Sequence, residues 1–228
     1  MCFSPEGDLI GGVVVVAIGV DACRHLEGKE EYLFVASLPL LLGVHQVVEA
    51  FVWWGLQGVV PPAVGTVAMW IYLVFALVLL PVIGPLLVLG LERTPAMRWR
   101  IAPFVALGAF TGAVLLMSML RTHPTVRLGA YHLAYSFGLK HGIVVVGMYI
   151  VATCGSMLVS GFRPVFWFGV SNLVAIAVLA RLSADGFTSL WCFYAALASG
   201  AIALHMRFGA PRAPTAAQHG VPAQPHLA

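Results

Sequence analysis

Charge is the scarcest property of this sequence: Asp, Glu, Lys and Arg make up 9% of its 228 residues, against 61% hydrophobic ones. Soluble domains carry roughly 25% charged residues. That balance excludes a soluble core and leaves a polytopic membrane protein. Lysine is nearly absent, and both examples, Lys29 and Lys140, fall in loops. A retinal pigment needs a Schiff-base lysine in its last span, so that class is out. No glycine-rich phosphate loop or dinucleotide fingerprint occurs, which removes nucleotide-driven chemistry by this chain alone. Only His45 lies deep in an apolar run, whereas a bis-histidine haem needs two facing histidines. The net charge of +3 does not imply nucleic acid, because the cations sit at the ends of apolar runs. Met1 to Ile10 contains no Lys or Arg, so the first span is expected to stay attached rather than act as a secretory leader. Cys2, Cys23, Cys154 and Cys192 show no C-x-x-C spacing. Cys23 and Cys154 read as buried free thiols.

What is present is a series of long apolar runs. At about 20 residues per span, they predict an all-α, seven-helix transmembrane bundle. The expected spans are Pro5 to His25, Glu31 to Gln57, Ala63 to Leu91, a fourth from Arg100 to Leu120, His141 to Ser160, Pro164 to Leu182, and Phe187 to Arg207. Ser4-Pro5-Glu6 reads as an N-cap, a first-turn proline and an acid at the positive end of the dipole. Pro81 and Pro85 should kink the third span. Gly108 and Gly112 have the small-xxx-small spacing of close helix contacts. Residues 1–207 form one domain on this reading, and 208–228 a disordered Pro- and Ala-rich tail.

Positive charge orients the bundle with its N-terminus outside and its C-terminus cytoplasmic. Arg24, Lys29, Arg93, Arg98, Arg100, Arg163, Arg207 and Arg212 then lie inside, against Arg121, Arg127, Lys140 and Arg181 outside. The long outer connection, Arg121 to Lys140, alternates from Tyr131: Tyr131, Leu133, Tyr135, Phe137 and Leu139 share one parity. Such a pattern predicts a short extended or hairpin segment between helices four and five. It would lie over the outer mouth of the bundle, or else along the interface, held by its tyrosines.

The polar groups converge on that side. His45, Glu49 and Trp53 stack on one face of the second span, with Gln46 beside them. An ionisable group at such depth costs several kcal/mol unless it meets a partner or a wet cavity, which makes it a functional-site candidate. Asn172 falls near the middle of span six, and the connection brings Tyr131, His132 and Tyr135 above. Cys2 and Cys192 are placed on the same side. The ligand-binding set is therefore His45, Gln46, Glu49, Trp53, Tyr131, His132, Tyr135 and Asn172. Cys2, His45, Glu49 and Cys192 are the donors for a transition metal. The alternatives are a purely structural polar network, and an acid–base pair built from Glu49 and His45. Asp21, at the other end of span one, is expected to reach the interface or pair with Arg24 or a neighbouring arginine.

Three stretches carry a family resemblance: Met1-Cys2-Phe3-Ser4, Pro39 to Trp53 with its His45-Gln46-x-x-Glu49 core, and Ser189-Leu-Trp191-Cys192-Phe193-Tyr194-Ala195-Ala196. Together they resemble a family of uncharacterised bacterial integral membrane proteins that begin with an MCFS motif. His45 stands where that family typically has glutamine. The resemblance implies the bacterial inner membrane and no established activity, and it draws Cys2 and Cys192 together as a disulfide or a ligand pair. The expected function is binding of a small ligand or metal in an outer-half pocket. An intramembrane enzyme acting on a lipid or lipid-soluble substrate is the alternative, with Cys192 or Ser189 as nucleophile. A transporter comes third, because spans three and four offer almost no polar lining. The partners expected are the lipid bilayer and a small molecule or lipid.

Overall fold

Glycines decide how closely the first helices approach. The computed structural model describes residues 4–25, 33–129 and 132–182, with Tyr194, Ala198, Gly200 and Ala201. In it α1 (Pro5–Arg24) packs along α2 (Leu33–Gln57). A Cβ on Gly12 would lie 2.8 Å from the Gly43 carbonyl oxygen, and one on Gly43 would lie 2.6 Å from the Val16 nitrogen. Gly19 likewise meets the backbone of Leu40. Only glycine allows two backbones this close. As expected, α1 opens with Ser4 Oγ accepting from the Gly7 N–H at 3.1 Å, and Pro5 fills the first turn.

Gly58, at φ 75°, ends α2 in the left-handed conformation that a side chain resists. The chain then turns back into α3 (Pro62–Leu91), with Gly55 and Gly65 face to face at the crossing. Pro81 and Pro85 are absorbed in an unexpected way. The turn before Pro81 widens into a π segment, Val74–Leu79, where the Leu80 N–H reaches back to the Phe75 carbonyl. Ala76 is left in an awkward position. Its α-type donor, Leu80, is used elsewhere, and its π-type donor would be Pro81, which has no N–H. The Tyr149 hydroxyl of α5 (Gly142–Val159) donates to that carbonyl at 2.7 Å. Tyr149→Phe is therefore expected to cost about 1–3 kcal/mol, the penalty for an unsatisfied buried acceptor. Thermal unfolding of the detergent-purified protein checks this.

A fourth helix, α4 (Pro95–Thr122), packs on the π segment and second half of α3 through Gly108 and Gly112. Between α4 and α5 lie two short antiparallel strands, β1 (Thr125–Leu128) and β2 (Leu133–Ser136), with Thr125 opposite Ser136 and Leu128 opposite Leu133. The alternation read from 131 to 140 therefore forms strand only to Ser136, and its partner precedes it. Left-handed His123 (φ 49°) and His141 (φ 56°) stand at either end of this connection. A second π segment, Val151–Gly155, interrupts α5. The last described long helix, α6 (Arg163–Leu182), packs on the end of α5.

Among the described residues there are thus six long helices, and five of them, α2 to α6, are long and apolar enough to cross a membrane. α1 matches their length but carries Glu6, Asp8, Asp21 and Arg24. The seventh expected span, Phe187 to Arg207, lies outside the described residues apart from four positions, as does the tail. One of those positions is Tyr194, whose hydroxyl sits 3.3 Å from Ser171 Oγ on α6. Asp21 lies 3.5 Å from His25, with its side chain about half exposed.

The core gathers where β2 meets the bundle. Val52 and Trp53 of α2, Ala68, Met69, Tyr72 and Leu73 of α3, Met119 of α4 and Leu133 of β2 form one buried cluster. β2 is therefore not a floating loop segment. Its Leu133 is as inaccessible as any side chain of the helices.

Candidate functional site

Glu49 has no solvent exposure, and Gln46, one turn before it, has 1%. α2 holds both because its other side is occupied by the glycine contacts with α1, leaving this side to face α3 and β2. The Tyr135 hydroxyl donates to Glu49 Oε1 at 3.4 Å. That is longer than a relaxed O–H···O bond of about 2.7–2.8 Å. A strand from outside the helical bundle thus reaches the carboxyl of a helix.

Three rings connect the same elements. Tyr72 is 1% exposed and lies between His45, 4.0 Å away with 10° between planes, and Tyr135, 5.1 Å away with 16°. Phe75 closes on His45 from another direction at 4.8 Å and 38°. His45 is therefore half-buried as one ring of an aromatic column. Such contacts add about 0.5–1.5 kcal/mol per pair beyond area burial. Trp53, one turn beyond Glu49, is 5% exposed, and its indole Nε1 has no hydrogen-bond partner among the described residues. An N–H buried without an acceptor carries a penalty of about 1–3 kcal/mol.

Not every expected residue joins this group. Asn172 is buried, but its amide donates to the Phe168 carbonyl at 2.9 Å and approaches the Met157 sulfur at 3.6 Å, which packs α6 against α5. His132 sits at the end of the strand pair, its carbonyl accepting from the Gly129 N–H at 2.8 Å. Tyr131, Cys2, Cys192 and Ser189 lie outside the described residues. Among the described residues no three His, Cys, Asp or Glu side chains gather to hold a metal ion. Cys23 and Cys154 are free thiols, Cys154 buried as expected but Cys23 only half-buried.

Two buried acids escaped sequence reasoning. Asp8, in the first helix, is wholly inaccessible. Gly12 against Gly43 and Val47, and Gly19 against Leu40, set an antiparallel register that carries Asp8 close to the height of Glu49. Glu92, just after α3 and followed by arginines, is 5% exposed. It accepts from Ser160 Oγ and from the Gly161 N–H, each at 2.7 Å, while Ser160 Oγ accepts from the Phe162 N–H at 3.2 Å. Glu92 thereby holds the α5–α6 turn closed at the end of α3 remote from Glu49. A lone acid among arginines, with Ser-Gly at the end of another apolar run, was the available signal.

Beside the Glu49 group, an apolar groove of about 360 Å³ runs along α3, lined by Trp70, Ile71, Val74, Phe75 and Leu79. Trp70 and Val74 pack against the cluster that contains Trp53 and Tyr72, and Phe75 touches the His45 ring. The groove thus touches the aromatic column through Phe75.

Neither a curated protein nor a solved structure matches the chain. One family model does, over residues 1–219, and it describes a family of unknown function (DUF6629).

Proposed function

We propose that this chain, which belongs to that family of unknown function, is a multi-pass membrane protein that binds a small ligand beside Glu49. The five apolar helices support the membrane reading, and the arginines near the α3–α4 connection support an orientation with that end cytoplasmic. The strand pair then lies on the outer side, over the site, with the bacterial inner membrane as the setting that the sequence resemblance implies. One observation carries the ligand reading. A fully buried carboxyl is reached by a hydroxyl from a separate element across a contact too long to be at its optimum. A purely structural pair in so dry a place would be expected to close to normal length. A group inserted between Glu49 and Tyr135 would find an acceptor on one side and a donor on the other.

Mass spectrometry of lipids and small molecules retained by the purified protein tests this, with Glu49→Gln and Tyr135→Phe beside wild type. A molecule retained by wild type and reduced about tenfold or more in Glu49→Gln is the expected result. That change keeps the shape of the side chain while replacing the carboxyl with an amide. An identical retained set in all three, with all three folded, would refute the reading. Elemental analysis of the same samples separates a metal from an organic ligand.

A further inference from the structure

The end of the bundle remote from Glu49 carries an unbalanced charge. Between Glu49 and Asp185 the sequence holds one acid, Glu92, whose buried carboxyl already accepts from Ser160 Oγ and the Gly161 N–H. That clasp brings two helix starts together. A Cβ on Gly161 would lie 3.3 Å from Glu92 Oε2 and 3.5 Å from Met97 Cε, so the first turn of α4 abuts the residues that open α6. Arg93, Arg98 and Arg100 flank the first start and Arg163 opens the second, all of them exposed. Arg98, Arg100 and Arg163 form no ion pair among the described residues. Both helices also turn the positive end of their dipoles this way. A signal for orientation needs only a count of cations on one side. It does not need them gathered around a buried acid.

Two indoles narrow the kind of anion that fits. Trp99 stands between Arg98 and Arg100 in sequence and is 79% exposed, and Trp167, one turn into α6, is 58% exposed. Tryptophan left outside the core at the end of an apolar span belongs at the headgroup level of a bilayer. A soluble anion would engage the arginines and leave both indoles in water. A phospholipid engages both, with its phosphate against the guanidinium groups and its glycerol and upper chains against the indoles. We propose that the juxtaposed starts of α4 and α6 bind the headgroup of an anionic phospholipid, with Arg98, Arg100 and Arg163 holding its phosphate. This surface is independent of the Glu49 site and requires only that the apolar helices span a membrane.

Native mass spectrometry of the full chain in detergent, titrated with phosphatidylglycerol and with phosphatidylcholine of the same chains, is the test. Phosphatidylglycerol is expected to bind about tenfold more tightly, since each arginine near a membrane surface is worth about fivefold toward an anionic lipid. Arg98→Gln combined with Arg163→Gln should abolish that preference. Arg121→Gln combined with Arg127→Gln removes as much charge from the opposite end of α4 and from β1, and should preserve it. Equal binding of the two lipids to wild type overturns the proposal without any variant, and leaves the arginines as orientation signals alone. A preference that survives Arg98→Gln with Arg163→Gln, or that is lost alike in both double variants, also overturns it, the latter because diffuse attraction to net charge would suffice. Ligand retention beside Glu49 should be the same in Arg98→Gln with Arg163→Gln as in wild type, so the two readings fail separately.

Discussion

Replacing Gly108 with valine is expected to separate α4 from α3 and destabilise the protein by about 3 kcal/mol or more, the upper range for forced overpacking. A Cβ at this position would collide with the Pro81 carbonyl oxygen, and one on Gly112 would lie 2.6 Å from that of Val78. Neither obstacle is a flexible side chain that could swing aside. Pro81 makes the position special for a further reason. Its carbonyl would normally be covered by the N–H of residue 85, but that residue is also proline and has none. The Pro81 oxygen faces the Gly108 backbone, at the place a side chain on residue 108 would occupy. Gly108→Ala should already destabilise, since the first carbon is the one that clashes. Gly147→Ala in α5 is the control, because nothing lies within 4 Å of the added carbon. There alanine should be neutral or stabilising by up to about 1 kcal/mol. Thermal unfolding of the three variants in one detergent decides the matter. A Gly108→Val protein as stable as wild type would mean the two helices do not meet here.

The second large effect is expected at Leu133. Leu133→Asp should lift β2 off the bundle, because this side chain has no exposure and sits among Trp53, Tyr72 and Met119. A carboxylate there would lose its water and gain no designed partner. Even Leu133→Ala should cost about 2–5 kcal/mol, the range for emptying a core leucine site. Leu128 lies directly across the strand pair but is 49% exposed. Leu128→Asp should accordingly change stability by no more than about 0.5 kcal/mol. Limited proteolysis between His123 and His141 separates the two, with rapid cleavage in Leu133→Asp alone. Ligand retention should fall with it, since Tyr135 travels on the same strand. Retention unchanged after the strand is released would mean that the strand does not belong to the site.

Several helices could be read from residue patterns because they begin where an apolar run begins, at Ser4-Pro5 or Pro61-Pro62. α4 instead starts at Thr94-Pro95, five residues before the expected Arg100, because its first turn is basic rather than apolar. Glu49 was legible for a similar reason, as a lone acid in a run otherwise apolar on every side. Tyr135 and Leu133 showed through their shared parity. β1 did not, because Thr-Val-Arg-Leu is too short to alternate convincingly and its partner alone creates the strand. Tyr72 was invisible as a site residue, being one aromatic in a uniformly apolar α3. Its role depends on His45 and Tyr135 arriving from elsewhere. The two π segments were hidden by the same uniformity, since no polar face existed whose drift could betray them. Asp8 and Glu92 did not show as buried because a residue's place along the chain says nothing about which neighbour covers it. Asn172 was assigned by depth alone, and depth does not specify the side of a helix.

The widened turn before Pro81 also bears on how this chain can vary in length. Each residue of an α-helix turns the chain by about 100°. Deleting one residue elsewhere in α3 would swing every later side chain around the axis and take Pro81 away from Gly108. Within Val74–Leu79 the loose winding already holds one residue more than an α-turn needs. A deletion there can be taken up by tightening the winding, leaving both halves of the helix facing as before. Family members that differ by a single residue in α3 are therefore expected to place their alignment gap in these six positions.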